Sequence, residues 1–262
     1  MVLVSPRNPL NIGAAARAMA NFGFRRLSIV APFATNWTEA KSAVGAPDLL
    51  REAKVFTTLA EAVAHCTLVL GTGSLDRRKP EQAILALPEA AAQIRQSLAS
   101  PDNSQPGPAA QSRTQSRIAL LFGSEKHGLT SEDLSWCHAI VVIDTCEAQP
   151  SMNLGQAVAV CLYEISRSAA AHEHPTSALH PRRWDGTQNS ENPDSEQLDR
   201  LAELIEETMA GVNYATRGMR SSNGEALRVL LRRLMPNDAD LRRMMGLFRR
   251  ILWQLRRQSN KD

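Results

Sequence analysis

The chain has 262 residues, 43% hydrophobic and 22% charged, which is ordinary globular usage and excludes a fully disordered chain. No apolar run approaches the roughly 20 residues that span a bilayer, and the opening MVLVSPRN lacks a secretory pattern, so a soluble cytoplasmic protein is expected. The net charge of +3 is unevenly spread: between Arg217 and Arg257 eleven arginines face only Glu225, Asp238 and Asp240. A basic C-terminal segment behind a near-neutral body points to a polyanionic partner, most simply a nucleic acid. Cys66, Cys137, Cys146 and Cys161 show no CxxC spacing, which favours small buried or half-buried thiols over a metal site.

In chain order, residues 2–4 read as a strand, followed by an Ala-rich helix over 11–21, a strand over 27–30 and a short Ala-containing segment near 39–44. Residues 53–56 form the next strand, TLAEAVAHC a short helix, and 67–73 a strand ending in Gly-Thr-Gly. The spacing predicts a helix over 80–98, strands over 117–123 and 139–143, and a helix from 153 to about 168. Nearly continuous apolar strands separated by helices predict an α/β fold with a parallel sheet covered on both faces. Residues 100–116, rich in Pro, Ser and Gln, read as a flexible insertion, and 170–195 as a linker. Beyond the linker, apolar spacing predicts helices over 196–209, 225–235 and 240–256, with Pro236-Asn237-Asp238 as a break and Asp238 or Asp240 as N-cap. The expected organisation is an α/β domain over 1–168, a linker over 169–195 and a small all-helical basic domain over 196–262.

Ligands of open α/β sheets bind beyond the carboxyl ends of strands, and four such loops carry polar or glycine-rich sets. The first, from Asn8 to Arg17, places small residues at Gly13–Ala16 and one arginine a turn into a helix; a well-packed helix with a solvated Arg17 explains it too. The second, Gly71-Thr72-Gly73-Ser74, permits close backbone approach, yet Asp76 stands where a dinucleotide fingerprint needs its third glycine. The third, Gly123-Ser124-Glu125-Lys126-His127-Gly128, brackets a carboxylate with glycines, and Thr130 with Asp133 marks a helix start after it. The fourth, Ser151-Met152-Asn153, precedes a helix that Ser151 can cap. Each also fits an ordinary connection.

Their order is more specific. Asn11-x-Gly13-x-x-x-Arg17, then FGSEKHGL over 122–129, then SMNLGQAVAV over 151–160 resemble the three motifs of the SpoU/TrmH family of SPOUT RNA methyltransferases, over roughly residues 1–167. The opening IGAAARAM, the GTGS loop, the Cys137-His138 pair and the helical C-terminal segment most resemble the TrmJ branch, which acts on tRNA. The resemblance implies a parallel sheet with a deep C-terminal trefoil knot that binds S-adenosyl-L-methionine. It places cofactor contacts on Thr72, Gly73, Ser74, Gly123, Ile143, Ser151, Met152 and Asn153. It places the catalytic arginine on Arg17, with Asn11 beside it and Glu125 in the second motif, and an RNA contact on Arg77. It implies a homodimer with a shared active site, so that Arg17 faces the partner's cofactor, and no metal. Met152 replaces the family's usual leucine.

The implied activity is methyl transfer to a ribose 2′-oxygen, on an anticodon-loop pyrimidine of tRNA. The alternatives are an rRNA ribose and an inactive RNA-binding homologue. A nicotinamide-dependent oxidoreductase rests on the α/β pattern and the incomplete glycine loop alone. The displacement needs alignment and a sink for the hydroxyl proton. A guanidinium is a permanent cation, so Arg17 is expected to orient phosphate and ribose and to ease loss of the 2′-OH proton.

Overall fold

The computed structural model describes residues 1–33, 37, 43, 45–73, 80–99, 117–146, 148–167, 192–212, 214 and 220–259. The elements begin with β1 (Val2–Val4), α1 (Pro9–Asn21), β2 (Ser28–Val30), α2 (Pro47–Arg51), β3 (Lys54–Phe56), α3 (Leu59–Val63) and β4 (Leu68–Thr72). They continue with β5 (Ala83–Ala86), α4 (Leu87–Ala99), β6 (Ile118–Phe122), α5 (Ser131–Ser135), β7 (Ala139–Val142) and α6 (Leu154–Ser166). Three helices end the chain: α7 (Ser195–Gly211), α8 (Arg220–Leu234) and α9 (Asp238–Ser259). The insertion over 100–116, residues 169–191 of the expected linker and most of the segment near 39–44 lie outside the described residues.

The strands form one sheet in the order β3-β2-β1-β6-β4-β7-β5, and every neighbouring pair is parallel. Side chains alternate between its faces. Leu3, Leu68, Leu70, Leu120 and Phe122 join α1, α4 and α6 in one apolar cluster. Val2, Val4, Val69, Ala119 and Leu121 join α3 and α5 in another. Burial on both faces is why these strands read as continuous apolar runs.

The single helix expected over 80–98 is two elements, because β5 pairs with β7 at the sheet edge before α4 begins. Pro88 stands at the second position of α4, where its missing N–H forfeits no helical hydrogen bond. The α1 helix starts two residues before the expected position, because Asn8 caps it by accepting from the Leu10 N–H at 2.9 Å and Pro9 fits the first turn. At α5 the expected start is found, with Thr130 and Asp133 forming a reciprocal capping box. At α9 the N-terminal side-chain acceptor is Asn237, whose Oδ1 accepts from the Asp240 N–H at 2.9 Å, rather than Asp238 or Asp240.

Helices α7, α8 and α9 bury their own cluster of Leu198, Leu201, Ala202, Ile205, Leu231 and Leu241. The α7 helix opens against the sheet body: the Ser195 N–H donates to the Cys66 carbonyl at 3.0 Å and the Glu196 N–H to the Ala64 carbonyl at 2.9 Å. Two donors that a helix N-terminus leaves unpaired are thereby satisfied.

Candidate active site

Because every strand runs the same way, the carboxyl ends of the adjacent strands β1, β6, β4 and β7 share one edge of the sheet. The turn after β4 is tied to both neighbours, Thr72 Oγ1 donating to the Leu121 carbonyl at 2.8 Å and the Gly73 N–H to the Val141 carbonyl at 3.2 Å. Gly123, just past β6, has no room for a side chain: a Cβ would lie 2.0 Å from the Gly128 carbonyl carbon and 2.1 Å from the Leu129 nitrogen. The loop that Glu125 occupies folds back on Gly123, closed by a Gly128 N–H to Ser124 carbonyl bond of 2.8 Å. Ile143 follows β7 and packs half-buried against the main cluster.

Three side chains from distant parts of the chain form one hydrogen-bonded row at this edge. Glu125 Oε1 accepts from Asn11 Nδ2 at 3.0 Å, and Asn11 Oδ1 accepts from Asn153 Nδ2 at 3.0 Å. Asn153 Oδ1 in turn accepts from the Gly155 N–H at 2.9 Å, making Asn153, not Ser151, the cap of α6. The Glu125 carboxylate also accepts from the main-chain N–H of Arg7 at 2.9 Å and of Asn8 at 3.0 Å. Burial alone would raise its pKa, but these donors outweigh it and hold the carboxyl below its ordinary range. A carboxylate so engaged is a poor proton acceptor and a firm anchor. The α6 helix can approach α1 because residue 155 is glycine: a Cβ there would lie 2.7 Å from the Ala14 Cβ.

Arg17 sits on α1, exposed, with no ion pair or hydrogen bond to another described residue. Its guanidinium is available to an anion. Ser151 is exposed and Met152 half-buried just before α6. Ser74 and Arg77 lie outside the described residues. The structure thus gathers Asn11, Glu125 and Asn153 by direct contact, and Thr72, Gly73, Gly123 and Ile143 along the adjoining strand ends.

The profile of the SpoU rRNA Methylase family matches residues 1–163. The chain belongs to this family. It is 31% identical over 253 residues to the tRNA (cytidine/uridine/adenosine-2'-O-)-methyltransferase TrmJ of Pseudomonas aeruginosa, covering 96% of this chain and 91% of that one. Identity to the tRNA (cytidine/uridine-2'-O-)-methyltransferase TrmJ of Sodalis glossinidius is 29% over 257 residues, covering 94% of this chain and 88% of the other. The crystal structure of TrmJ from Z. mobilis ZM4 is similar at a TM-score of 0.74 and 28% identity, covering 95% of this chain and 97% of that one.

In this SpoU-family chain the arginines of α8 and α9 whose side chains are described divide into two groups, which composition alone did not reveal. Arg228, Arg232 and Arg233 of α8 turn inward. Arg232 is 1% exposed and donates from Nε to the Trp136 carbonyl at 3.0 Å. Its guanidinium carbon lies 5.0 Å from the Trp136 ring centre, as does that of Arg228, whose Nε donates to Ser135 Oγ at 3.1 Å. Arg233 pairs with Glu81 at 2.7 Å. Burial pushes the Arg232 guanidinium down to about 10, against the pull of Asp199, so it stays a cation at neutral pH. These arginines fasten α8 to α5 and to the residues before β5.

The α9 arginines face outward as three adjacent pairs seven residues apart: Arg242 and Arg243, Arg249 and Arg250, Arg256 and Arg257, all exposed. Seven residues are about two helical turns, so the pairs repeat along one side roughly every 10 Å. The Cys137-His138 pair also resolves as structure. His138 Nδ1 accepts from the Val69 N–H at 3.1 Å, and burial, aided by Arg232, lowers its pKa to about 3. Burial raises the Cys137 and Cys161 thiols to about 12, while Cys146 is exposed. Among the described residues no group of three or more His, Cys, Asp or Glu could hold a metal ion, and no helix is long and apolar enough to cross a membrane.

Proposed function

We propose that this chain is an S-adenosyl-L-methionine-dependent tRNA methyltransferase that methylates a ribose 2′-hydroxyl on an anticodon-loop pyrimidine. The observation that carries this reading is the Glu125–Asn11–Asn153 row, which joins the three family motifs in one hydrogen-bonded set at the carboxyl edge of the sheet. The activity in the names of the Pseudomonas aeruginosa and Sodalis glossinidius relatives supports it, since the similarity covers 96% and 94% of this chain.

The residues at the strand ends suit the cofactor. Thr72, Gly73 and Gly123 offer main-chain polar groups beside the half-buried apolar Ile143 and Met152, a mixed lining matched to adenine and a sulfonium-bearing chain. Thr72, Gly73, Ser74, Gly123, Ile143, Ser151, Met152 and Asn153 would hold it, and it supplies an electrophilic methyl group when bound. Asn11 and Asn153 fix the shape of that edge, and Glu125 holds Asn11 and the exit of β1. Arg17 binds the phosphate beside the target ribose and stabilises the oxygen as its proton leaves. Arg77 contacts RNA.

The same reading includes a trefoil knot in the C-terminal part of the sheet domain and a homodimer in which Arg17 serves the partner's site. It also includes an α/β domain over 1–168 and a helical domain over 196–262 whose α9 arginines meet phosphates. The test is methyl transfer from labelled S-adenosyl-L-methionine to unmodified tRNA and to rRNA, followed by alkaline hydrolysis. A 2′-O-methyl group removes the internal nucleophile, so label in an alkali-resistant dinucleotide of tRNA is the expected result. Label in rRNA alone overturns the tRNA assignment, and absence of cofactor binding overturns the whole reading.

A further inference from the structure

One surface pair, Arg7 and Phe33, lies beside the site and takes no part in the Glu125–Asn11–Asn153 row. The chain leaves the neighbouring strands β1 and β2 through two non-glycine residues with left-handed backbone, Ser5 at φ 49° and Ala31 at φ 43°. Such conformations are disfavoured for residues with a Cβ and persist where the surroundings enforce them. Here the two exits are stitched together, the Ser5 N–H donating to the Val30 carbonyl at 2.8 Å and the Phe33 N–H to the Pro6 carbonyl at 3.1 Å. The outcome is that the Arg7 guanidinium carbon lies 4.2 Å from the Phe33 ring centre while Phe33 stays 62% exposed. An aromatic ring held in solvent by an ordered, strained backbone forgoes the gain of burial.

Its location indicates what covers it. The N–H of Arg7 itself donates to Glu125 at 2.9 Å, so the pair begins at the residue that anchors the Glu125–Asn11–Asn153 row. We propose that Arg7 and Phe33 form a stacking subsite for an unpaired RNA base at or next to the target nucleotide, an inference that rests on the methyltransferase reading above. Bases outside a duplex are held by aromatic faces and by arginine planes, and a ribose can reach this edge only if its base is splayed out. Phe33 supplies the face and Arg7 stiffens it from the side while offering N–H groups to the adjoining phosphate.

The test measures tRNA binding, S-adenosyl-L-methionine binding, methyl transfer and sedimentation for wild type, Phe33→Ala, Phe33→Leu and Phe33→Trp. Loss of one stacked base weakens tRNA binding roughly tenfold in the Ala and Leu variants, with Phe33→Trp restoring it and cofactor affinity and oligomeric state unchanged. Wild-type tRNA affinity in Phe33→Ala and Phe33→Leu overturns the subsite alone. A change of oligomeric state in those variants also overturns it, assigning the pair to contact between copies. If wild type neither binds nor methylates tRNA, the methyltransferase reading and the subsite fail together.

Discussion

Replacing Asn11 by Asp tests whether the row that joins the three motifs is held by the directions of its hydrogen bonds. Asn11 is needed in both directions, donating to Glu125 and accepting from Asn153 at 3.0 Å each. Asn11→Ala removes both bonds, the one to the charged acceptor worth about 1.5 kcal/mol at this partly exposed site and the one from Asn153 about 1. Asn11→Asp loses only the bond to Glu125, keeps an acceptor for Asn153, and sets a second carboxylate about 3 Å from the first. The repulsion is roughly 1.4 kcal/mol at bulk-water screening and about 5 at an effective dielectric of 20, and the exposure of Glu125 favours the lower end. Protonating one carboxyl offers an escape costing about 4 kcal/mol at pH 7 but only about 1.5 at pH 5.

Urea unfolding at both pH values is the assay. Asn11→Asp should fall below Asn11→Ala by about 0.5–2 kcal/mol at pH 7, the repulsion less the retained Asn153 bond, and the gap should shrink by pH 5. Glu125→Gln added to Asn11→Asp should recover part of the loss, since an amide can donate where the carboxylate could not. The wild type behaves oppositely with pH. The Glu125 carboxyl is depressed in the folded chain, so its contribution is full above the ordinary carboxylate range and disappears as pH falls through the lowered value. Equal stability of Asn11→Ala and Asn11→Asp at pH 7, or a gap that persists at pH 5, would refute the reasoning.

Arg17→Ala should abolish turnover while cofactor affinity by calorimetry stays within a few fold, whereas Asn153→Ala should weaken cofactor binding first and lower stability by about 1 kcal/mol through the lost cap. Loss of cofactor binding in Arg17→Ala would mark that residue as structural. Gly123→Ala should cost more than about 2 kcal/mol in urea unfolding and reduce cofactor affinity, because its Cβ would collide with main-chain atoms that no rotamer change can move. The two arginine groups separate by salt titration: Arg249→Gln with Arg250→Gln should lower the slope of log affinity for tRNA by about 2 without changing Tm. Arg232→Ala should instead lower Tm through its buried contacts with Trp136, and a normal Tm would remove the fastening role of α8.

Much of the α/β body was legible because its central strands are buried on both faces and its main helices, α1, α4 and α6, run 13 residues each. Such patterns survive without knowledge of neighbours. The short β5 strand was not, since Ala-Ile-Leu-Ala carries no period-two signal and its strand state comes from pairing with β7 at the sheet edge. The helix caps were legible only in kind. Asn153 rather than Ser151, and Asn237 rather than the aspartates, take those positions because the chain's path decides which side chain faces the free N–H groups.

The motif residues were likewise visible one loop at a time. That Asn11 touches Glu125, 114 residues away, and Asn153, 142 residues away, could not be read locally. Those contacts exist because parallel strands deliver their carboxyl ends to one edge. The basic C-terminal segment shows the same division. Its charge, its three helices and the seven-residue repeat of arginine pairs are properties of the sequence by itself. Which arginines are buried on Trp136 and which face water is decided by tertiary structure, because identical side chains differ only in which helix face meets the α/β body.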